Sequence, residues 1–136
     1  MSTLEELVGR AEAMVPRLME RAADTERLGR IPDKTIAEFT DAGFFRAFVP
    51  RRYGGYELDY PLTQVELCNQ IGRGCGSSAW VLTVVSCHPW LLGMLPDSIQ
   101  QKVWGTTGPD TLLPTAVSPA DAKIRRVAGG RRDCGG

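Results

Sequence analysis

One histidine, His88, is all the imidazole this 136-residue chain carries. Zinc sites of the usual spacing draw on several Cys and His side chains. One His with cysteines at 68, 75, 87 and 134, none of them in a CxxC pair, does not assemble such a set. The expectation is no metal, and thiols that stay reduced and mostly buried, as cysteines do in a cytoplasmic protein. The shortage of histidine also limits nucleophilic catalysis. Cys87 has only its neighbour His88 as a base, and adjacent residues on a helix project about 100° apart. Net charge is missing too, with 16 Lys+Arg against 16 Asp+Glu. Nothing steers the chain to nucleic acid or to an anionic membrane. The first residues, MSTLEELVGRAEAMV, have acidic groups where a signal peptide needs basic ones. Internal repeats are absent, and only the tail GGRRDCGG has a biased composition.

Formal charge is also absent from Gly74 to Pro96. The run is long enough on paper to span a bilayer. It holds Ser77, Ser78, Thr83, Ser86, His88 and Pro89, however, and reads better as a helix covered on every side by protein. No membrane span is expected.

What is present is mostly helical periodicity. Thr3-Leu4-Glu5-Glu6 matches a capping box. Leu4, Leu7, Val8, Ala11, Met14, Val15, Leu18 and Met19 then recur on one face, with Pro16 expected to kink or split the helix. Asp33 is placed to cap a second, short helix with Ile36, Ala37 and Phe39 inward, and Gly43 suits its left-handed end. FFRAFVP reads as a compact apolar connector. RRYGGYE follows as a turn at Gly54-Gly55 with solvated Arg51 and Arg52. Pro61 fits the first turn of a third helix, whose buried face is expected at Leu62, Val65, Cys68 and Ile71. Gly72, Gly74 and Gly76 end it. Ser77 or Ser78 caps a fourth helix running to about Gly93, and Asp97 opens a fifth, closed by Gly105. TLLPTAVSPADAKIRRVAGG loses the helical period and reads as one or two short strands. A β segment this short does not build a sheet of its own.

GRGCGS has the glycines of a dinucleotide loop without its context. A helix precedes it where a strand should, and the third glycine is missing, so it reads as a turn between helices. His88 is the more informative residue. Trp80 lies eight positions earlier, close to two helical turns. Pro89 removes an amide, frees the carbonyl of Val85 and should bend the helix.

VPRRYGGYELDY, IGRGCGSSAWV, VVSCHPWLLGMLP and QQKVWG, in this order, resemble the N-terminal helical domain of the acyl-CoA dehydrogenase superfamily over roughly residues 26 to 128. Within it the chain is most similar to oxygenase components of two-component flavin-dependent aromatic monooxygenases, of the p-hydroxyphenylacetate and secosteroid phenol hydroxylase type. The resemblance implies a mainly α fold: a helical N-terminal domain at 1–108, then at 109–130 the first strands of a middle β domain. It implies an N-terminal fragment of an enzyme that uses reduced flavin (FMN or FAD) and O2 to hydroxylate a phenolic substrate. A flavin reductase is the partner, and the family assembles as a homotetramer. Carried over by residue, His88 is the catalytic candidate near the substrate hydroxyl. Trp80 and the strand Pro114, Thr115, Ala116 and Val117 are the flavin-binding candidates.

The sequence departs from the family after VAGG, where RRDCGG stands in place of further β sequence. The expectation is an aberrant or disordered tail at 131–136, by a shift of reading frame after Gly130 or as a fragment. Such a chain alone is expected to bind flavin weakly or not at all and to be inactive. The alternatives are a fragment of an acyl-CoA dehydrogenase, or a non-catalytic helical module that docks on a partner.

Overall fold

The computed structural model describes residues 2–113, and the backbone of two strands at 123–126 and 132–135. The helical body has five helices: α1 (Leu4–Leu28), α2 (Asp33–Asp41), α3 (Tyr60–Gly74), α4 (Gly76–Gly93) and α5 (Asp97–Thr107). β1 (Lys123–Arg126) pairs antiparallel with β2 (Arg132–Gly135), with Lys123 opposite Gly135 and Arg126 opposite Arg132. The mainly α expectation holds.

α1 starts at the capping box. The Thr3 hydroxyl accepts from the Glu6 amide at 3.2 Å, and the Glu6 carboxylate accepts from the Thr3 amide at 3.2 Å. It buries Leu7, Ala11, Met14, Leu18 and Thr25, while Met19, expected inside, is exposed. Pro16 neither splits nor ends the helix. Both Pro16 and Glu12, whose carbonyl Pro16 deprives of a donor, are exposed, so the loss falls on the solvent side of the helix.

Asp33 does not cap α2. Pro32 holds the cap position in extended conformation, and the Asp33 carboxylate instead takes Arg30 at 2.7 Å. Thr35 and Phe39 are the buried positions of α2; Ala37 faces out. The connector after it is core. Phe44, Phe45, Ala47, Phe48 and Val49 are all buried, and the chain folds back so that Leu58 N–H donates to the Ala47 carbonyl at 2.9 Å. Gly54 makes the turn with φ of 88°, a conformation that side chains resist. Arg52 is not a free charge: it bonds Gln100 at 2.7 Å and Asp97 at 3.0 Å, tying the turn to α5.

Asp59 caps α3 by accepting from Leu62 N–H at 3.1 Å. The buried face of α3 is Thr63, Gln64, Leu67, Ile71 and Gly74, so the expected stripe is rotated. Leu62 and Val65 stand 52% and 65% exposed. The reason is that α3 packs against α1 on one side and α4 on the other. Polar Gln64 and the Cys68 thiol turn toward α4, which supplies hydroxyl partners. Ser86 donates to the Gln64 side-chain oxygen at 2.9 Å, and the Cys68 thiol meets the Thr83 hydroxyl at 2.7 Å. At its other end α3 approaches α1 through Gly74, where an added Cβ would stand 2.7 Å from the Leu18 Cβ and 2.9 Å from the Val15 carbonyl.

Neither Ser77 nor Ser78 caps α4. Extended Cys75 holds that position with no side-chain bond, Ser77 donates to Glu26, and Ser78 is buried. α4 runs through Pro89 without interruption. α5 continues past Gly105 and ends at Gly108, whose φ is 80°. Gln100 is buried in α5 and donates to the carbonyls of Gly93 and Leu95, closing the end of α4.

Candidate functional site

α4 carries both ring candidates. An eight-residue offset places them about 12 Å apart along the axis. They open into different recesses. Trp80, 65% exposed, lines a hollow of about 400 Å³ with Ile31, Val81, Arg30, Glu26 and Ser77, where the end of α1 meets the start of α4. His88 lines a groove of about 490 Å³ with Leu91, Leu92, Met94, Leu95, Val103 and Leu113. Among the described residues of that lining, His88 is the only ionisable side chain.

Pro89 and Leu92 are buried beside His88, and Trp90 stacks on Tyr60 with centroids 4.3 Å apart and planes 12° from parallel. His88 Nδ1 is buried and has no hydrogen-bond partner. A buried polar atom without a partner costs free energy, and among the described residues His88 Nδ1 shares that condition with side-chain atoms of Arg21, Thr35, Ser78 and Trp104. Cys87 is not a companion nucleophile. Its thiol donates to the Val84 carbonyl of its own helix at 3.1 Å, and burial pushes its pKa up, away from the reactive thiolate. Tyr60 is likewise raised, by burial first and then by Cys87 and Cys68.

Pro114, Thr115, Ala116 and Val117 lie outside the described residues. Leu113, directly before them, does line the His88 groove. The groove's other walls, Leu91, Met94, Leu95 and Val103, were not singled out in the sequence. Their only signal is that apolar residues continue to the end of α4 without a polar face. Among the described residues no cluster of His, Cys, Asp or Glu could hold a metal ion, and no helix is long and apolar enough to cross a membrane.

Residues 3–104 match the family profile described as acyl-CoA dehydrogenase, N-terminal domain. The chain belongs to this family. The resemblance read from YGG, GSSAW, HPW and VWG is thereby borne out. Among curated members, the oxygenase subunit HsaA of a flavin-dependent monooxygenase from Rhodococcus jostii RHA1 is 35% identical over 113 residues, covering 83% of this chain and 29% of that protein. The oxygenase component of FADH(2)-dependent resorcinol hydroxylase from Rhizobium sp. MTP-10005 is 33% identical over 124 residues, covering 91% and 29%. The crystal structure of the HsaA monooxygenase from M. tuberculosis superposes with a TM-score of 0.76 at 32% identity, over 82% of this chain and 30% of that one. The chain thus spans under a third of the length of these acyl-CoA dehydrogenase-like relatives.

Proposed function

We propose that these helices form the substrate-facing wall of a reduced-flavin monooxygenase that hydroxylates a phenolic ring with O2. The observation that carries the reading is the His88 groove: apolar throughout, with one imidazole whose buried nitrogen has no partner. The names of the relatives, flavin-dependent oxygenase components that include a resorcinol hydroxylase, support it.

The residues fit a flavin at one edge. The exposed Trp80 indole offers a flat apolar face, and Glu26, Arg30 and Ser77 line the hollow around it. Bound reduced flavin, FMN or FAD, supplies the two electrons that let one oxygen atom enter the ring while the other leaves as water. The protein's own part is placement. The leucines and Met94 of the groove hold an aromatic ring and keep water away. His88 meets its hydroxyl by hydrogen bond, which makes the ring more electron-rich where oxygen enters. Pro114, Thr115, Ala116 and Val117, next in sequence after Leu113, are assigned to flavin binding.

The same reading divides the chain at residue 108, where Gly108 ends α5, with 109–130 opening a β domain. It makes a flavin reductase the redox partner, a homotetramer the assembly and the cytoplasm the location of the complete enzyme. The test is single-turnover hydroxylation of phenols by the complete enzyme with reduced flavin. His88→Ala should lower hydroxylated product at least tenfold while flavin reoxidation by O2 continues, with hydrogen peroxide rising to match. Undiminished product would remove His88 from the reaction.

A further inference from the structure

A second groove lies on the opposite pairing of helices, between the first halves of α1 and α3, and has no part in the reading above. Its floor is Leu4, Val8 and Leu62, and its volume is about 370 Å³. Leu62 is 52% exposed, and the adjoining Val65 is 65% exposed. Gly9 lies in the middle, and a Cβ there would meet nothing within 4 Å, so the groove is open above it. The rim is acidic throughout: Glu5 and Glu12 from α1 and Glu66 from α3, with no cation among the lining residues. Arg10, the nearest basic residue on α1, turns away to the Ala42 carbonyl at 2.9 Å. Arg73 reaches Glu12 at 3.9 Å from the far end.

We infer that this groove docks a basic amphipathic helix of a partner protein. Apolar surface at the floor needs an apolar stripe, and three carboxylates need cations flanking that stripe. The channel between two packed helices admits a helix as its ridge, the helix-in-groove mode. The sign of the rim turns away both nucleic acid and an anionic lipid surface. The seven-residue spacing of Glu5 and Glu12 matches Lys or Arg repeated over two turns of the incoming helix.

The experiment is a 15N NMR titration of the chain with a synthetic leucine-stripe helix whose flanks are lysine, and with the same peptide carrying glutamate flanks. The inference expects saturable shifts at Leu4, Val8, Gly9, Leu62 and Glu66 with the lysine peptide only. Filling the groove (Gly9→Trp) or neutralising the rim (Glu5→Gln, Glu12→Gln and Glu66→Gln together) should weaken binding at least tenfold while the spectrum stays folded. Raised salt should weaken it too. Shifts scattered over other faces, or equal binding by the variants or by the glutamate peptide, would overturn the inference. So would groove shifts that appear on concentrating the chain alone, because they would assign the surface to a second copy. None of these outcomes depends on flavin or on His88, so failure here leaves the monooxygenase reading untouched.

Discussion

His88 carries a polar ring at a place where an apolar side chain would cost the fold less. Its Nδ1 is buried without a partner, and the groove around it is apolar. An unsatisfied buried polar atom costs about 1–3 kcal/mol, whereas an apolar group of similar size in the same place costs nothing of the kind. His88→Leu should therefore leave the helical body as stable or raise its stability by about 1 kcal/mol in urea denaturation. A loss of more than about 1 kcal/mol would mean that the imidazole has a structural partner after all. Sequence could point to His88 because it is the single histidine in an uncharged run. It could not supply the groove. Leu91, Met94 and Leu95 look like any other core residues on a helix that is apolar all round, and only the packing of α5 and Leu113 shows which side is left open. Trp80 and His88 open into separate recesses, because an offset of eight residues carries the helix about 80° past two full turns.

Among the elements, α1 and α3 are held together by what Gly74 lacks. The α1 backbone at Val15 and the Leu18 Cβ occupy the space a side chain would need. Gly74→Val should force the two helices apart and cost about 1–3 kcal/mol, read as a lower urea midpoint with an unchanged slope. An unaffected midpoint would show that the helices part easily. The five helices were legible from caps, breakers and periodicity, since those signals act within a few residues: Thr3, Pro61 and the glycines around α3's end all mark real boundaries. The face that α3 buries was not legible. Leu62, Val65 and Cys68 have the apolar period, but Thr63 and Gln64 are buried instead, because Ser86 and the tight fit at Gly74 decide the rotation. Those are contacts across α4 and α1, which no window along α3 contains. The end of α5 failed for a related reason. Gly105 can stay helical at a modest cost, and the left-handed residue that ends the helix is Gly108.

At the scale of the whole molecule, Tyr60 is the point where its layers meet. It opens α3, stacks on Trp90 of α4 at 4.3 Å, and meets Phe48 of the buried connector edge-on at 5.0 Å. Its phenol and the Cys87 thiol are both acids whose pKa is raised in the fold, each by burial first. The unfolded chain therefore loses these protons at lower pH than the folded one. Stability from the neutral forms is complete below their ordinary values, roughly 8.5 for a thiol and 10 for a phenol, and is lost as pH rises through the folded values. The chain should accordingly lose stability steadily above about pH 8.5, with the urea midpoint falling first for the thiol and then for the phenol. Cys87→Ala should flatten the first part of that fall, and Tyr60→Phe the second. The phenylalanine keeps the stack on Trp90, so the two Tyr60 forms should agree near neutral pH and diverge only in alkali. If both variants fall as steeply as the parent, the alkaline loss comes from elsewhere, and the junction of α3, α4 and the connector is not where the fold gives way.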